Sequence, residues 1–290
     1  MQHRVIFIPG PSDARAMRAP RGLALPLIVA LLAAAILVPP VLPHGREIVL
    51  ATTTSTEDSG LLDYLLPQFT AKTGITVREI AVGTGQALEI GRRGDADVVL
   101  VHAPMAEAAF VAAGDGIDRV HVMYNYFVLV GPAADPAGAS GDNTTAAFQR
   151  VAACGCAFVS RGDGSGTNIK ELQLWALAGL TPEPSGWYKE AGQGMGATLR
   201  IADRLGAYTL SDDGTFYVMK PQLDLAVIVE NQPPLLNQYS VILVNPATHP
   251  TVRYADAAAF HDWLVSAEGQ ALIAAYEVSG RRPFNPNAPP

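Results

Sequence analysis

The sequence predicts an α/β protein of two lobes, each a mainly parallel sheet flanked by helices, with two strand crossings as the hinge. Strand-like and helix-like segments alternate along the chain, an order typical of a mainly parallel sheet covered by helices. A Pro-, Gly- and Ser-rich stretch at 131–141 follows the longest strand-like segment and indicates a passage into a second lobe. A second alternating set of segments comes after it.

The first set begins with a short β-rich run and a helix whose leucines repeat at helical spacing. Its predicted elements are a strand at 47–51, a helix from 61 to about 74, a strand at 75–80, a helix at 86–93, a strand at 97–101, a helix at 105–113 and a strand at 121–130. The helices stop near Gly74 and Gly114, since glycine is the usual residue after a helix C-terminus.

The second set contains a strand at 157–160, helices at 168–178 and 198–205, and strands at 207–210 and 225–229. A strand at 240–244 is the predicted return crossing, and helices at 255–266 and 270–276 complete the first lobe. We therefore predict one lobe from 46–125 with 241–290, and the other from 126–240. A cleft between two such lobes is the usual place for a small ligand.

Residues 1–45 are predicted to be a targeting segment. Arg15, Arg18 and Arg21 precede an uncharged apolar run at 23–42, the pattern of an export signal peptide. The run is also long enough to span a bilayer. A cleaved signal peptide is favoured and a retained N-terminal anchor stays open, so we expect the protein to work outside the cytoplasm, for example in a periplasm.

Composition excludes one class of partner and leaves the two cysteines undecided. The formal net charge is -7, so the chain lacks the basic surface that nucleic-acid binding needs. Cys154 and Cys156 are permitted to form a disulfide in an oxidising compartment, although two buried thiols on or beside a strand are equally compatible with the sequence. A metal site there is less favoured, because no further ligand is near in sequence.

The strongest chemical motif is the stretch from Ser160 to Thr167, which we call the nest loop; it lies directly between a predicted strand and a predicted helix. A helix N-terminus exposes unpaired N–H groups and the positive end of the helix dipole. Arg161 adds forked charged donors, which Asp163 is placed to orient, and Ser165 and Thr167 add hydroxyls. Its glycines, Gly166 among them, let the backbone approach a ligand. The alternative is an ordinary glycine turn with a helix cap.

Two further loops also lie where a strand meets a helix. Residues Thr52–Thr56, the hydroxyl loop, are five consecutive hydroxyl residues, and their alternative role is to cap the next helix. The loop Gly83–Gln86 contains Thr84 and is weak evidence by itself. Because the carboxyl ends of parallel strands meet at one edge, the three loops predict a single anion-binding cleft.

Sequence motifs typical of other functions are incomplete or absent. The loop Gly192–Gly196 lacks the spacing of a dinucleotide fingerprint, no P-loop lysine is present, and Ser165 is not in a nucleophile elbow. His102 and the other histidines show no metal-ligand spacing and are interpreted as structural. No nucleophile–base pair is visible, so we predict neither an enzyme nor a cofactor.

Several motifs, taken in order, resemble the tungstate-binding proteins of ABC transporters, over nearly all the chain from Glu47 to Phe284. They are Thr52–Thr56, Gly83–Leu88, Asp97–Pro104, Met123–Asn125, Ser160–Asp163, Ser165–Thr167 and Trp187–Gly196. The resemblance implies a two-lobed periplasmic-binding-protein fold and a role in importing tungstate, or molybdate. It also implies a membrane permease and an ATPase as partners, and we expect the chain itself to be a monomer.

Carried over by position, the resemblance assigns ligand binding to residues of both lobes. These are Thr54, Ser55, Thr84, Arg161, Ser165, Gly166, Thr167 and Thr198. The chain departs from the family at Tyr126, where an Asp is common, at Gly164, where an acid is common, and at Asn168, where a His is common. The departure near the predicted hinge, at Tyr126, bears on how the lobes close.

The alternatives are a phosphate- or sulfate-binding transport protein and a membrane-anchored oxyanion sensor. Phosphate carries a proton at neutral pH and benefits from a carboxylate acceptor, which phosphate-binding relatives place just before an Ala-Pro. This chain has His102 there, before Ala103 and Pro104. A neutral histidine can still accept a hydrogen bond, but the expected carboxylate is missing. We therefore predict tungstate at or above molybdate, both well above sulfate, and phosphate weakest.

Overall fold

The computed structural model describes residues 45–289. Its strands are β1 Arg46–Thr53, β2 Ile75–Val82, β3 Val98–Val101, β4 Gly116–Pro132, β5 Phe158–Ser160, β6 Tyr188–Glu190, β7 Thr209–Asp212, β8 Leu225–Val229, β9 Leu236–Val244 and β10 Asn285–Pro286. Its helices are α1 Thr54–Asp58, α2 Leu61–Thr73, α3 Thr84–Arg92, α4 Pro104–Ala112, α5 Thr144–Cys154, α6 Gly166–Leu177, α7 Met195–Leu205, α8 Asp213–Met219, α9 Tyr254–Val265 and α10 Ala267–Ala275. Two short 3-10 turns lie at Lys220–Gln222 and Pro233–Leu235.

The sheet joins the two predicted lobes through one long strand. The order β10-β4-β9-β3-β1-β2 forms the first-lobe part, and the far half of β4 pairs with β7 and β8 instead. Pairing is parallel for β1 with β2, β1 with β3, and β5 with β6. It is antiparallel wherever β4 or β9 takes part, because these strands run from one lobe into the other and back.

Both parts of the sheet are covered on two faces. In β3, Val98 and Leu100 pack into one hydrophobic core and Val99 and Val101 into another. The far half of β4 repeats this alternation, with Phe127 and Leu129 on one side and the intervening valines on the other. Successive side chains of a strand point to opposite faces, so each lobe has helices on both sides of its sheet, as the α/β prediction requires.

The predicted elements are present, and four helices begin two to three residues earlier than expected. The structure starts α3 at Thr84, α6 at Gly166, α7 at Met195 and α10 at Ala267. Residues expected in loops are therefore in the first turns of helices, where N–H groups point outward. The return strand also begins earlier, at Leu236 rather than Ser240.

Sequence patterns missed five of these strands and helices, α1, α5, α8, β6 and β10. Helix α5 opens with Thr144 and Thr145, which are poor helix formers. It is stabilised by the Asn143 cap, whose side chain accepts from Ala146 N, and by burial of Phe148 and its neighbours. Packing of this kind overrides local propensity and is invisible in one sequence.

Cys154 is the last residue of α5 and forms a disulfide with Cys156. The structure thus selects one of the two possibilities that the sequence left open, and it places the pair at a helix end, half-exposed to exposed, rather than on a strand. The predicted targeting segment lies outside the described residues. Among residues 45–289, no helix has the length and hydropathy of a membrane span. The predicted lobe boundaries remain a prediction.

Candidate functional site

The nest loop is held in shape by hydrogen bonds between its own residues. Arg161 is buried and donates from Nε and Nη2 to Asp163 Oδ2, at 3.1 and 2.5 Å. Asp163 Oδ1 accepts in turn from Ser165 N at 3.1 Å. The predicted pairing of Arg161 with Asp163 is confirmed, and none of the hydrogen bonds described uses Arg161 Nη1. The guanidinium is therefore fixed before any ligand arrives.

Helix α6 begins immediately after this pair. Its N-cap is Ser165, whose Oγ accepts from Asn168 N at 3.3 Å and leaves the hydroxyl proton free to donate. The Asn168 side chain accepts from Gly164 N and donates to Ser160 Oγ, which connects the loop to β5. Thr167 Oγ1 is buried and has no hydrogen-bond partner among the described residues. A buried polar atom of this kind is uncommon unless a ligand or water uses it.

The hydroxyl loop is buried and makes many of its hydrogen bonds with itself. Thr52 Oγ1 donates to Leu100 O at 2.8 Å and so serves the sheet. Thr53 caps α1 and contacts both Ser55 Oγ, at 3.1 Å, and Thr56 Oγ1, at 2.7 Å. Thr53 and Ser55 also contact His102, and Thr54 is the residue of this loop whose side chain reaches Arg161 of the second lobe.

Hydrogen bonds join the two lobes at the predicted site. Arg161 Nη2 donates to Thr54 Oγ1 at 3.3 Å, and Gly166 N donates to Thr84 Oγ1 at 3.2 Å. Gly196 N donates to Asp58 Oδ2, also at 3.3 Å. The three strand-to-helix loops therefore meet at one place, as their positions in the sequence predicted.

The lobes approach each other closely at Gly166. A Cβ added there would lie 3.1 Å from both His102 Cε1 and Thr84 Oγ1, closer than side chains normally pack. The backbone of α6 consequently touches the first lobe only because residue 166 has no side chain.

His102 contacts both the hydroxyl loop and β9, although its spacing in the sequence indicated only a structural role. Its Nε2 lies 3.2 Å from Ser55 Oγ and from Thr53 Oγ1, and its Nδ1 lies 2.9 Å from Asn237 Oδ1. Burial lowers the pKa of His102 to about 4, with Arg161 adding a smaller effect in the same direction. The imidazole is therefore neutral at pH 7. The available clue was its position at the end of β3, before Ala103.

Thr198 is placed differently from the other predicted residues. Its hydroxyl donates to Gly194 O at 3.0 Å, inside the first turn of α7. The same helix turn presents Gly196 N to Asp58, so a carboxylate of the protein occupies this helix N-terminus. Burial raises the pKa of Asp58, the Gly196 hydrogen bond opposing this. The structure thus brings Thr54, Ser55, Thr84 and the nest loop together, and engages Thr198 elsewhere.

A cavity of about 450 Å³ borders His102 and Gly166 on the side of α4. Its wall includes Phe127, Ile169 and Pro104 and is mainly apolar. Lys170 and Gln173 also line it, but Arg161 and the N-terminus of α6 converge at the three loops, so we locate the ligand site there rather than in this cavity.

The chemistry of the site follows from its donors. Arg161, the backbone N–H groups at the start of α6 and the hydroxyls of both lobes converge, while Asp163 and Asp58 are bonded to groups of the protein. Donors preorganised around a small space, with these two carboxylates engaged by the protein, suit a compact oxyanion. Among the described residues, no group of three or more His, Cys, Asp or Glu side chains is arranged to hold a metal ion.

Comparison with known proteins identifies the family of this chain. Residues 40–268 match the family model described as a PBP superfamily domain. The tungstate-binding protein TupA of Peptoclostridium acidaminophilum is 51% identical over 247 residues, which cover 83% of this chain and 86% of that protein. The chain belongs to the PBP superfamily and, within it, to the family of tungstate-binding proteins.

Two solved structures of tungstate-transport proteins match most of this chain. The tungstate-binding protein TupA of Desulfovibrio alaskensis G20 is 46% identical, with a TM-score of 0.74, and the match covers 84% of this chain and all of that one. The tungstate ABC transporter protein of Geobacter sulfurreducens is 47% identical at the same TM-score, covering 79% and 98%. The resemblance noted in the sequence and the two-lobed α/β fold class are both confirmed.

Proposed function

We propose that this protein captures tungstate between its lobes and delivers it to the permease of an ABC importer. The observation that carries the proposal is the convergence of Arg161, the α6 N-terminus and hydroxyls of both lobes on one buried site. Membership of the tungstate-binding family supports the choice of tungstate among tetrahedral oxyanions.

Preference among anions follows from the groups at two positions of the site. Asp163 is held by Arg161, and the position after β3 carries neutral His102 instead of a carboxylate. A fully ionised anion accepts hydrogen bonds on every oxygen, whereas protonated phosphate must also donate one. Tungstate and molybdate are thereby favoured over phosphate, and their larger size separates them from sulfate.

Calorimetric titration of the purified protein tests this proposal directly. We expect tungstate to bind at or above the affinity of molybdate, both well above sulfate, with phosphate weakest. Displacement of tungstate by phosphate at comparable concentration would overturn the assignment and support the phosphate alternative. Sulfate binding tighter than either metal oxyanion would support a sulfate-binding protein.

The proposed role requires export and transporter partners. The segment at 1–45, with its basic start and apolar run, supports passage across the membrane as a signal peptide or an anchor. A permease and an ATPase would then complete the importer, and we propose that the binding protein acts as a monomer without enzymatic activity. Fractionation of cells that produce the full chain should place it outside the cytoplasm.

A further inference from the structure

A line of buried polar side chains connects the two long strands to the site. Asn125 in β4 faces Asn237 in β9, and their amides are hydrogen-bonded at 2.8 Å. Asn237 contacts His102 Nδ1 at 2.9 Å, and His102 Nε2 reaches Ser55 Oγ at 3.2 Å. All four side chains are buried, so each hydrogen bond in this line affects its neighbours.

The same heavy-atom contacts are compatible with two directions of donation. A side-chain amide presents either its oxygen or its nitrogen after a half-turn, and a neutral imidazole carries its proton on either nitrogen. In one direction, His102 Nδ1 donates to Asn237 and Nε2 accepts from Ser55. In that direction Ser55 donates its single hydroxyl proton to the imidazole, and only lone pairs of Ser55 Oγ face an anion. This direction also leaves Asn125 Nδ2 buried without a hydrogen bond of normal geometry, the Asp213 carboxyl being its neighbour.

The opposite direction of donation frees the Ser55 hydroxyl proton and gives Asn125 Nδ2 an acceptor. Asn125 Nδ2 donates to Asn237 Oδ1, Asn237 Nδ2 donates to His102 Nδ1, and His102 Nε2–H donates to Ser55 Oγ. The Ser55 hydroxyl proton is then free to point at a ligand. Tyr239, whose hydroxyl lies 3.1 Å from the Asn237 amide, donates to the same Asn237 oxygen.

The far end of the line is also suited to this direction. Asn125 interacts with the buried carboxyl of Asp213, whose Oδ1 has no hydrogen-bond partner among the described residues. Burial, followed by the charge of Asp212, raises the pKa of Asp213 well above its usual value, the Asn125 amide opposing this. Because only the protonated carboxyl donates to an amide oxygen, a raised pKa of Asp213 favours the turned amide of Asn125, whose oxygen faces it.

Packing keeps the His102 ring in place. The ring stacks on Tyr239 with centroids 4.8 Å apart and planes inclined by 27°. Gly166 of the second lobe closes its other side. The ring therefore cannot swing away from Ser55 without opening the contact between the lobes.

We propose that His102 is a positioning residue that donates from Nε2 to Ser55 and so holds the Ser55 hydroxyl as a donor to the bound oxyanion, with Asn125 and Asn237 setting the direction. The inference rests on the proposed oxyanion function and deepens it. With its Nε2 protonated, His102 offers no acceptor to the ligand, and it thereby contributes to the rejection of protonated phosphate.

Long-range proton–nitrogen correlation spectra of the ¹⁵N-labelled wild-type protein report the His102 tautomer directly. The spectrum of His102→Gln assigns the signals by their loss. We expect the Nε2–H tautomer in the tungstate-saturated protein. Observation of the Nδ1–H tautomer with tungstate bound overturns the relay alone, whereas failure of the wild type to bind any of the four anions overturns the proposed function as well.

Binding measurements on variants supply a second test. His102→Leu removes the donor and should weaken tungstate binding about tenfold or more, whereas His102→Gln, which keeps an N–H near the Nε2 position, should restore most of the affinity. The double variant Ser55→Ala with His102→Leu should bind no more weakly than Ser55→Ala alone, since both changes remove one function. Fully additive losses would show that His102 acts by packing, and exposed His121→Gln is the matched control that should leave binding unchanged.

Discussion

The nest loop and the hydroxyl loop face each other across the cleft, yet they are organised differently. The side chains that orient Arg161 and cap α6 are bonded to residues two to eight positions apart, for example Arg161 with Asp163 and Ser160 with Asn168. The hydroxyl loop has local hydrogen bonds as well, but Ser55 also contacts His102, 47 residues away, and its carbonyl accepts from Thr215, 160 residues away. The position of Arg161 is therefore set mainly by near neighbours in the chain, whereas that of Ser55 also depends on distant ones.

The two loops also differ in charge. The nest loop holds a buried guanidinium whose orientation Asp163 sets, so its attraction for an anion is preorganised. The hydroxyl loop is neutral, and most of its hydroxyls are used within the protein. Several hydroxyls of the hydroxyl loop are therefore engaged within the protein, whereas Arg161 keeps its Nη1 outside the hydrogen bonds described. The following changes test this asymmetry, from the largest expected effect to the smallest.

Arg161→Ala is expected to have the largest effect. Removing a charged hydrogen-bond partner from a desolvated site costs about 2–5 kcal/mol of binding free energy. Calorimetric titration with tungstate measures this loss, and Arg150→Ala, which removes an exposed arginine of the second lobe, is the matched control. Unchanged affinity in Arg161→Ala would show that the nest loop is an ordinary glycine turn.

Gly166→Ala tests the close approach of the lobes. The added Cβ would press on His102 and Thr84 at 3.1 Å, and overpacking of this kind costs about 1–3 kcal/mol. We expect weaker tungstate binding with a nearly unchanged unfolding midpoint, because the crowding arises only where the lobes meet. Gly186→Ala, at an open position of the same lobe, should behave as wild type. Equal affinity in both variants would mean that the ligand is bound without this contact.

Thr54→Val removes one neutral hydroxyl of the hydroxyl loop and should cost only about 1 kcal/mol. Thr54→Ser, which keeps the hydroxyl that accepts from Arg161, should bind tungstate almost as well as wild type. A loss in Thr54→Val as large as that in Arg161→Ala would break the comparison, since it would give the two loops equal weight.

The smallest effect is expected from the disulfide. Cys154 and Cys156 lie at the end of α5 and take part in none of the contacts described at the cleft. The double variant Cys154→Ser with Cys156→Ser should therefore keep wild-type affinity for tungstate, although thermal stability is free to change. Loss of binding in a variant that still unfolds cooperatively would contradict this.

The contrast between the loops also explains how far the sequence could be interpreted. The continuous hydrophobic run in β3 and the helical spacing in α2 are local patterns, and the α/β fold class followed from them. The nest loop was predicted with its Arg161–Asp163 pair because both residues lie in one turn. Helix α5 was missed because its stability comes from Phe148 and other buried contacts rather than from its opening residues.

By itself, the sequence determined the order of strands and helices, the family, and the donors of the nest loop, since each depends on residues close together in the chain. The tertiary structure decided the central place of His102, the capture of Gly196 N by Asp58, and the engagement of Thr198 within α7. His102 and Asp58 find their partners more than 40 residues away, and Thr198 is decided by where the first turn of α7 begins. Only packing of the two lobes brings the distant groups within hydrogen-bonding distance, and no local pattern records which of them will meet.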